Sequence, residues 1–531
     1  MRICLVQSSY EGTNYPFEDD DDFGDPGRYI DSTIHQFDHR FIRKATERSD
    51  IDAICDEKFD MYMNWMWGGP RDTVAGITAT EYLESKGVVV LSNLHMSLRI
   101  HYDKPLYYHL AHNFGLRVPT NEAGKFPKIV KYGDSCASNG LDLKSVCFTD
   151  QEVECRRQLL LQTQPDASIV VQNFICGTEF TVVVVEMGSA VVSLTPLQFI
   201  FPPGTSPYHA FLTSENKFKA VRDGRISTKL VEDSLLSKKI ERMAETAFKV
   251  AGMCGGGWAR VDMRLEDETD RLFVLEVNPI PTAFYPKGKF KADWIIENTF
   301  PGGHLALFET LAATKLMKLG TGIAEQAAIA EVFSTFASQY DSILVNEPIN
   351  AVIEEYVHSF NWDGSVLDLG CGTGVLGRKI HEKGTNALIS GIDISPGMVD
   401  SDSIRKYYKG LVQIGSIQEL VMIAGEFNHI SCFSTFQYLD SITFTAVLSR
   451  MFMLARNSVT VEVDDLPESY IIEMEKHTGN RIRNSNNVSA LRRFGTPPGW
   501  KKVRDDYVPA YNSPHFNISV SGCVLRFERD V

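Results

Sequence analysis

The chain has 531 residues, 44% of them apolar and 23% charged, with a formal net charge of −15 at pH 7. That length exceeds what one hydrophobic core serves, so about two to four folded domains are expected. The acidic balance, with no lysine/arginine run, argues against nucleic acid as a partner. No apolar run reaches the roughly 18–20 residues of a membrane span, so a membrane partner is not expected either.

The opening MRICLVQSS is too short in its apolar part for a signal peptide and reads as the first buried strand of a domain. The aspartates of residues 19–22 follow it. A charge run of this kind is ordinarily a solvated loop. The sharper alternative is a lid that attracts a cationic amine. The ten cysteines contain no C-x-x-C pair, so neither a zinc site nor a disulfide framework is expected. Small buried thiols in a reducing compartment fit better, which places the protein in the cytoplasm.

Through about residue 305, strand-like runs alternate with helical stretches: RICLVQ, KIVK, SIVVQNF, TVVVVEM, GWARVDMRL and RLFVLEV are β-branched and short. Residues 306–335 turn rich in alanine and leucine, with Gly320 and Gly322 as an interruption, and read as a helical connector holding the domain boundary. A new strand–loop–helix unit starts at Ser365. The expected class is a multidomain α/β and α+β chain. Its parts are 1–305 (an α/β subdomain over 1–100 and a core over 101–305), the connector 306–335, and 336–531.

The most informative segment is GGGWARVDMRLEDETDRLFVLEVNPIP, residues 255–281. Centring the acidic turn near Thr269 sets Asp262 opposite Glu276 and Arg260 opposite Asn278, all four on one face of a hairpin. Directly opposed carboxylates repel. A divalent cation between them removes the objection, and this oxygen set suits Mg²⁺ or Mn²⁺.

G-W-A-R-V-D followed by L-E-V-N-P resembles the C-terminal signature of ATP-grasp ligases, in particular the D-alanine–D-alanine ligase branch. The resemblance implies an ATP-grasp fold with Asp262, Glu276 and Asn278 as metal ligands and Arg260 as the catalytic side chain that stabilises an oxyanion. Other segments are similar to the family in the same order. Residues 64–77 (NWMWGGPRDTVAGI) resemble its glycine-rich loop, and YDK at 102–104 resembles its M-D-K, which makes Lys104 an ATP-binding residue. Lys131 matches its second phosphate lysine, and GDSCASNG at 133–140 its phosphate-covering loop. QNFICGTE at 172–179 is similar to the hinge where adenine and ribose bind, implicating Gln172, Asn173, Ile175 and Glu179. A further phosphate lysine is expected on a strand near 209–219, with Lys217 and Lys219 both candidates.

The implied chemistry joins a carboxylate to an amine through an acyl phosphate made from ATP. The family's D-alanine recognition motifs are absent: the first loop reads QSSYEGTNYPFEDDDD, and PIPTAFYP follows Asn278. A ligase for a specialised metabolite or a dipeptide fits better, with small, amino-acid-like carboxylates and amines as partners. A homodimer stands as an alternative to a monomer.

SVLDLGCGTGVLG at 365–377 is a strand, a glycine loop and the start of a helix near Val375. G-x-G-x-x-G alone is a weak sign. Asp368 with Gly370, Gly372 and Gly374 gives D-x-G-x-G-x-G, which resembles motif I of class I methyltransferases and implies a Rossmann-like fold that binds S-adenosylmethionine. Asp393, about twenty residues on, sits where a carboxylate accepts the ribose hydroxyls. Ile394 would pack on adenine, and Ser416-Ile417 stand where the family contacts the adenine amine. Residues 433–439 (FSTFQYL) resemble the strand that faces the substrate, and Tyr340, in a helix similar to the one that caps the cofactor, would touch it. His429 and His515 are the acid–base candidates, each more often structural. The C-terminal segment reads as an antiparallel pair closing the sheet. The leading interpretation is a bifunctional enzyme; the alternatives are a ligase with a non-catalytic cofactor-binding domain, or a pair of degenerate ligand sensors.

Overall fold

The computed structural model describes residues 1–13, 24–92, 94–136, 138–215, 225–286, 290–422, 425–513, 516 and 518–530. Residues 19–22, Lys217, Lys219 and His515, singled out above, lie outside them. The chain divides into two units: Met1–Glu186 with Val191–Thr299, and Met187–Ala190 with Phe300–Val531. No described helix is long and apolar enough to cross a membrane.

The first unit opens with a parallel sheet of β1 (Arg2–Ser8), β2 (Gln36–Ile42), β3 (Met61–Asn64) and β4 (Val90–Leu91) in the order β2-β1-β3-β4. β1 is buried on both faces from Ile3 to Ser8, as a central parallel strand covered by helices must be. A three-stranded antiparallel sheet follows, with β5 (Lys128–Tyr132) between β6 (Val146–Cys147) and β7 (Ile169–Asn173).

The largest sheet of this unit holds β8 (Gly177–Met187), β9 (Ala190–Ser193), β10 (Leu197–Ile200), β11 (Ser227–Leu230), β12 (Trp258–Glu266) and β13 (Leu272–Asn278). Its order is β11-β10-β8-β12-β13, with β9 on β8. Val182, Val184, Ala259, Val261 and Val274 pack one face against the helix Ser234–Val250, whose apolar stripe supplies Ile240, Ala244, Ala247 and Phe248. The other face carries polar residues and belongs to the site. The strand expected near 209–219 is absent from its described part, where residues 209–215 form turns and the start of a helical turn.

The stretch 306–335 is helical. It runs through Gly303–Lys318 and Ile323–Leu344, both within the second unit, with Gly320 and Gly322 at φ 78° and 86° between them. The helix Gly303–Lys318 packs on the helix Ser441–Leu454.

The second unit is built on β14 (Gly364–Leu369), β15 (Ala387–Asp393), β16 (Val412–Ile414), β17 (Phe427–Cys432), β18 (Ala455–Asp465), β19 (Trp500–Asn512) and β20 (Ser519–Arg529), in the order β16-β15-β14-β17-β18-β20-β19. β14 to β18 are parallel; β20 runs antiparallel to β18 and β19 antiparallel to β20. The strand order reverses between β14 and β17, the switch point at which open α/β sheets receive ligands. Residues 433–439, expected as a strand, are a bend and a short 3₁₀ turn (Phe436–Tyr438). β17 stops at Cys432 because Ser434 takes a left-handed φ of 48°.

Candidate functional site

In the first unit the hairpin β12–β13 pairs Arg260 with Asn278 and Asp262 with Glu276. A bulge follows immediately, so that Met263 faces Val274. Asp262 is held firmly: its Oδ1 accepts from the Thr181 hydroxyl at 2.7 Å and Arg260 Nε at 3.1 Å, and its Oδ2 accepts from Arg260 Nη2 at 3.0 Å. Burial pulls the Arg260 pKa down most, but the charge and hydrogen bonds of Asp262 together with the charges of Glu276 and Glu179 outweigh it, so the guanidinium is held above its ordinary value.

A cavity of about 850 Å³ lies over this face. It brings together Asp262, Glu276, Lys104, Lys131, Gln172, Asn173, Ile175 and Glu179. Arg260 and Asn278 are not part of its lining and sit two paired positions beyond Asp262 and Glu276 along the hairpin. Lys104 is buried at the start of the helix Lys104–Asn113, which Asp103 caps by accepting from Leu106 N, and its ammonium donates to the Ser135 carbonyl. Lys131 Nζ donates to Tyr108 Oη at 3.0 Å, and that hydroxyl donates to the Leu275 carbonyl at 3.0 Å. The loop 133–140 is tied at Asp134, whose Oδ1 takes Arg71 Nη2 at 2.6 Å and whose Oδ2 accepts from Ser168 N at 3.0 Å.

Sequence reasoning missed Arg264. It lines the same cavity, 3% exposed, and pairs with Glu179 at 3.4 Å. Its Nη2 donates to the carbonyls of Gly177 at 2.6 Å and Ala210 at 2.8 Å, and its guanidinium lies 5.1 Å from the Phe174 ring centroid. Burial holds its pKa below the usual arginine value. The alternation Arg260, Asp262, Arg264 along one strand was the available signal. Among the described residues no group of three or more His, Cys, Asp or Glu gathers into a metal cluster, so a cation here depends on the mixed set with Asn278.

In the second unit β14 ends at Leu369 and the chain turns through Gly370, Gly372 and Gly374 into the helix Val375–Glu382. Gly370 has φ 67°, and a Cβ there would lie 2.1 Å from Thr435 Oγ1, so no other residue fits. At the end of β15, Asp393 Oδ2 accepts from Gly372 N at 2.8 Å and its Oδ1 from Ser395 N at 2.8 Å. Burial raises its pKa. A cavity of about 670 Å³ at the switch point brings together Gly370, Gly372, Asp393, Ile394, Ser416 and Ile417, with Tyr340 on its wall.

Gly374 and Asp368 do not line that cavity. Asp368 is buried behind the loop, where its Oδ2 accepts from Tyr408 Oη at 2.6 Å. Burial, the leading cause, pushes its pKa up to about 7, with Tyr408 opposing the shift. His429 is structural: its Nδ1 meets Ser458 Oγ at 2.7 Å, its Nε2 meets the Asp363 carbonyl at 3.1 Å, and burial lowers its pKa to about 4.

The Asp368 shift sets a pH dependence. The folded group holds its proton up to about 7, whereas the unfolded one loses it near 3.8. Between these values the folded state binds more protons, so this group's contribution to stability falls as pH rises. In urea titrations between about pH 5 and about pH 8, Asp368→Asn is expected to flatten the decline of the second unit's midpoint. An unchanged slope would remove Asp368 as its source.

Comparison with known proteins divides the chain in the same way. Residues 115–287 match the family described as D-ala D-ala ligase C-terminus, and residues 366–458 match a methyltransferase domain. A D-alanine–D-alanine ligase of Verminephrobacter eiseniae is 27% identical over 158 residues, which cover 29% of this chain and 43% of that protein. Malonyl-[acyl-carrier protein] O-methyltransferase 1 of Ilyobacter polytropus is 32% identical over 80 residues, which cover 15% of this chain and 30% of that protein. The chain therefore spans less than half the length of these curated relatives. Among solved structures, a D-alanine–D-alanine ligase from Bacillus anthracis complexed with ATP is 15% identical and covers 60% of this chain and 98% of its own, with a TM-score of 0.41. The chain thus joins an ATP-grasp domain of the D-ala D-ala ligase C-terminal family to a methyltransferase domain.

Proposed function

We propose that the protein is a bifunctional enzyme: the first unit joins a carboxylate to an amine with cleavage of ATP, and the second methylates the substrate or product with S-adenosylmethionine. The observation that carries the first half is the opposed pair Asp262/Glu276 at the edge of a cavity whose other wall presents Lys104 and Lys131. Two carboxylates and an amide oxygen form a hard donor set, so Asp262, Glu276 and Asn278 fit Mg²⁺ or Mn²⁺. A metal held there supplies charge neutralisation for transferring phosphate oxygens. Lys104 and Lys131 bind phosphate oxygens, and Glu179, kept in place by Arg264, accepts the ribose hydroxyls. Asn173 N and Phe174 N already donate to the carbonyls of Thr120 and Pro127, at 2.7 Å and 2.9 Å. Backbone recognition of adenine therefore falls to Ile175. Arg260 stabilises the oxyanion.

In the second unit the Gly370–Gly374 turn lets a ligand lie against the helix N-terminus, and Asp393 orders that turn while presenting its remaining lone pairs to ribose. Asp368 acts from behind, as a positioning residue. The substrates are small and amino-acid-like, in specialised-metabolite or dipeptide synthesis. The ten free cysteines support a cytoplasmic setting.

Incubation with pairs of amino acids, ATP, Mg²⁺ and methyl-labelled S-adenosylmethionine is expected to release ADP and label an amide product. ATP cleavage without any amide, over a broad panel, would overturn the ligase half. Asp393→Ala is expected to weaken S-adenosylhomocysteine binding by about tenfold or more, by the loss of a charge-assisted hydrogen bond; unchanged affinity in calorimetry would overturn the placement of the cofactor.

A further inference from the structure

β18 lies between β17 and β20 inside the second sheet, where a strand is ordinarily apolar on both faces. Val459, Val461 and Val463 obey this; Glu462 and Asp464, on the other face, do not, and both are 0% exposed. Glu462 Oε2 accepts from Ser434 N at 2.6 Å and from the Ser434 hydroxyl at 3.2 Å. Glu462 Oε1 and both oxygens of Asp464 find no N–H or O–H donor elsewhere in the protein, the two carboxyls lie close enough to share a proton, and among the described residues neither has a cationic partner. Room for them is made by Gly522, which pairs with Asp464: a Cβ there would stand 2.2 Å from Glu462 Oε1.

The surrounding amides have the same bias. Gln437 Oε1, Asn484 Oδ1 and Asn487 Oδ1 are buried without a donor. Their neighbourhood is set by Ser485 N donating to the Gln437 carbonyl at 2.8 Å. The amides of Gln437 and Asn487 are not free to turn over, because their nitrogens donate to the carbonyls of Ser434, Phe436 and Leu439. Six buried acceptor atoms on Glu462, Asp464, Gln437, Asn484 and Asn487 thus lack a donor among the described residues. A proton shared by the two carboxylates engages one oxygen of each and none of the amides. Unmet acceptors of this kind call for a group that carries several donors.

Aromatic side chains lie within electrostatic reach of the pair. The Asp464 charge acts on the phenols of Tyr340, Tyr438, Tyr470 and Tyr511. Tyr511 Oη reaches Tyr470 Oη at 3.5 Å, and Phe333 stands edge-on to Tyr438 with ring centroids 5.5 Å apart. Tyr340, Tyr438 and Ser434 also line the cavity that holds Gly370, Gly372 and Asp393. Buried carboxylates near aromatic side chains suit an ammonium group, which offers N–H donors and a positive charge together.

We propose that the polar interior around Glu462 and Asp464, which meets the cavity at Ser434, takes a protonated amine, and that the methyl acceptor of the second unit is an amine nitrogen. The second clause rests on reading this unit as a methyltransferase. The bound ammonium passes one proton to the carboxylate pair. The freed nitrogen lone pair then forms the N–C bond while the carbon–sulfur bond breaks with its electrons on sulfur, so a neutral thioether and a methylated ammonium result. Burial pushes both carboxyls up, and the Glu462 charge pushes Asp464 further, which suits the pair to take up that proton.

The test uses the full chain with saturating S-adenosylhomocysteine and saturation-transfer NMR, with ethylammonium chloride and ethanol as matched probes. Ethylammonium is expected to bind at least about tenfold more tightly than ethanol, as a charge-assisted contact requires. The isosteric double variant Glu462→Gln/Asp464→Asn is expected to bring the two probes level, whereas Asp465→Asn, whose carboxylate instead accepts from Tyr507 and Asn486, keeps the difference. Equal binding of the two probes to the wild-type chain would overturn the proposal without reference to any variant. So would a double variant that still binds S-adenosylhomocysteine and still prefers ethylammonium. Wild-type chain that binds ethylammonium but no S-adenosylhomocysteine would overturn the methyltransferase reading and the acceptor role with it, while the amine site would stand.

Discussion

Glu276→Gln is expected to slow ATP-dependent amide formation by about 10²–10³-fold, the usual scale for losing one group that stabilises transition-state charge. The substitution keeps the volume of the side chain and removes the charge opposite Asp262. Asp262 retains Thr181 and Arg260 as partners, so the hairpin has no reason to unfold. The defect should therefore show as a rightward shift in the Mg²⁺ titration of the rate with an unchanged denaturation midpoint. A variant that ligates at the wild-type rate with the wild-type Mg²⁺ response would dismiss the pair as a metal site.

Arg264→Met should be the most damaging single change to the first unit's stability. It removes the buried guanidinium that pairs with Glu179 and strips a donor from the carbonyls of Gly177 and Ala210. Removing one partner of a buried pair costs about 3–5 kcal/mol. Adding Glu179→Leu removes the buried carboxylate as well, so the double variant should recover most of that loss in urea denaturation. ATP affinity should not recover, because the double variant lacks the proposed ribose acceptor. If the double variant regained ATP binding as well, Glu179 would have no part in nucleotide recognition.

The hairpin register was legible because the acidic turn EDETD is short and the strands around it alternate cleanly. Asp262 opposite Glu276 follows from counting outward from Thr269, and the pairing agrees. The bulge after Asp262 was not legible, since nothing in MRL or LFV marks an extra residue. Arg264 escaped because a charged residue at alternate positions reads as solvated until the fold shows that the face is a cavity floor. Residues 433–439 were expected as a strand by resemblance to the family, yet a left-handed serine ends the strand before them. In the second unit the glycine loop and Asp393 were visible as spacing. The place of Asp368 behind the loop was not, because its partner Tyr408 is 40 residues away in the chain. The signal for Glu462 and Asp464 was present in TVEVDD, acidic residues alternating with valines, and it gains meaning only once the strand is known to be interior.

The tie between Arg71 and Asp134 bears on kinetics as well as shape. It joins the segment after β3 to the loop over the first cavity, and both side chains keep partial access to solvent, at 32% and 18%. If nucleotide exchanges under that loop, as the proposed function requires, lifting it would separate a charge pair and detach Ser168 N in the same movement. Mobile ions screen such a pair and leave the apolar core untouched. Raised ionic strength is therefore expected to loosen this tie and, under the proposed ligase function, to speed product exchange.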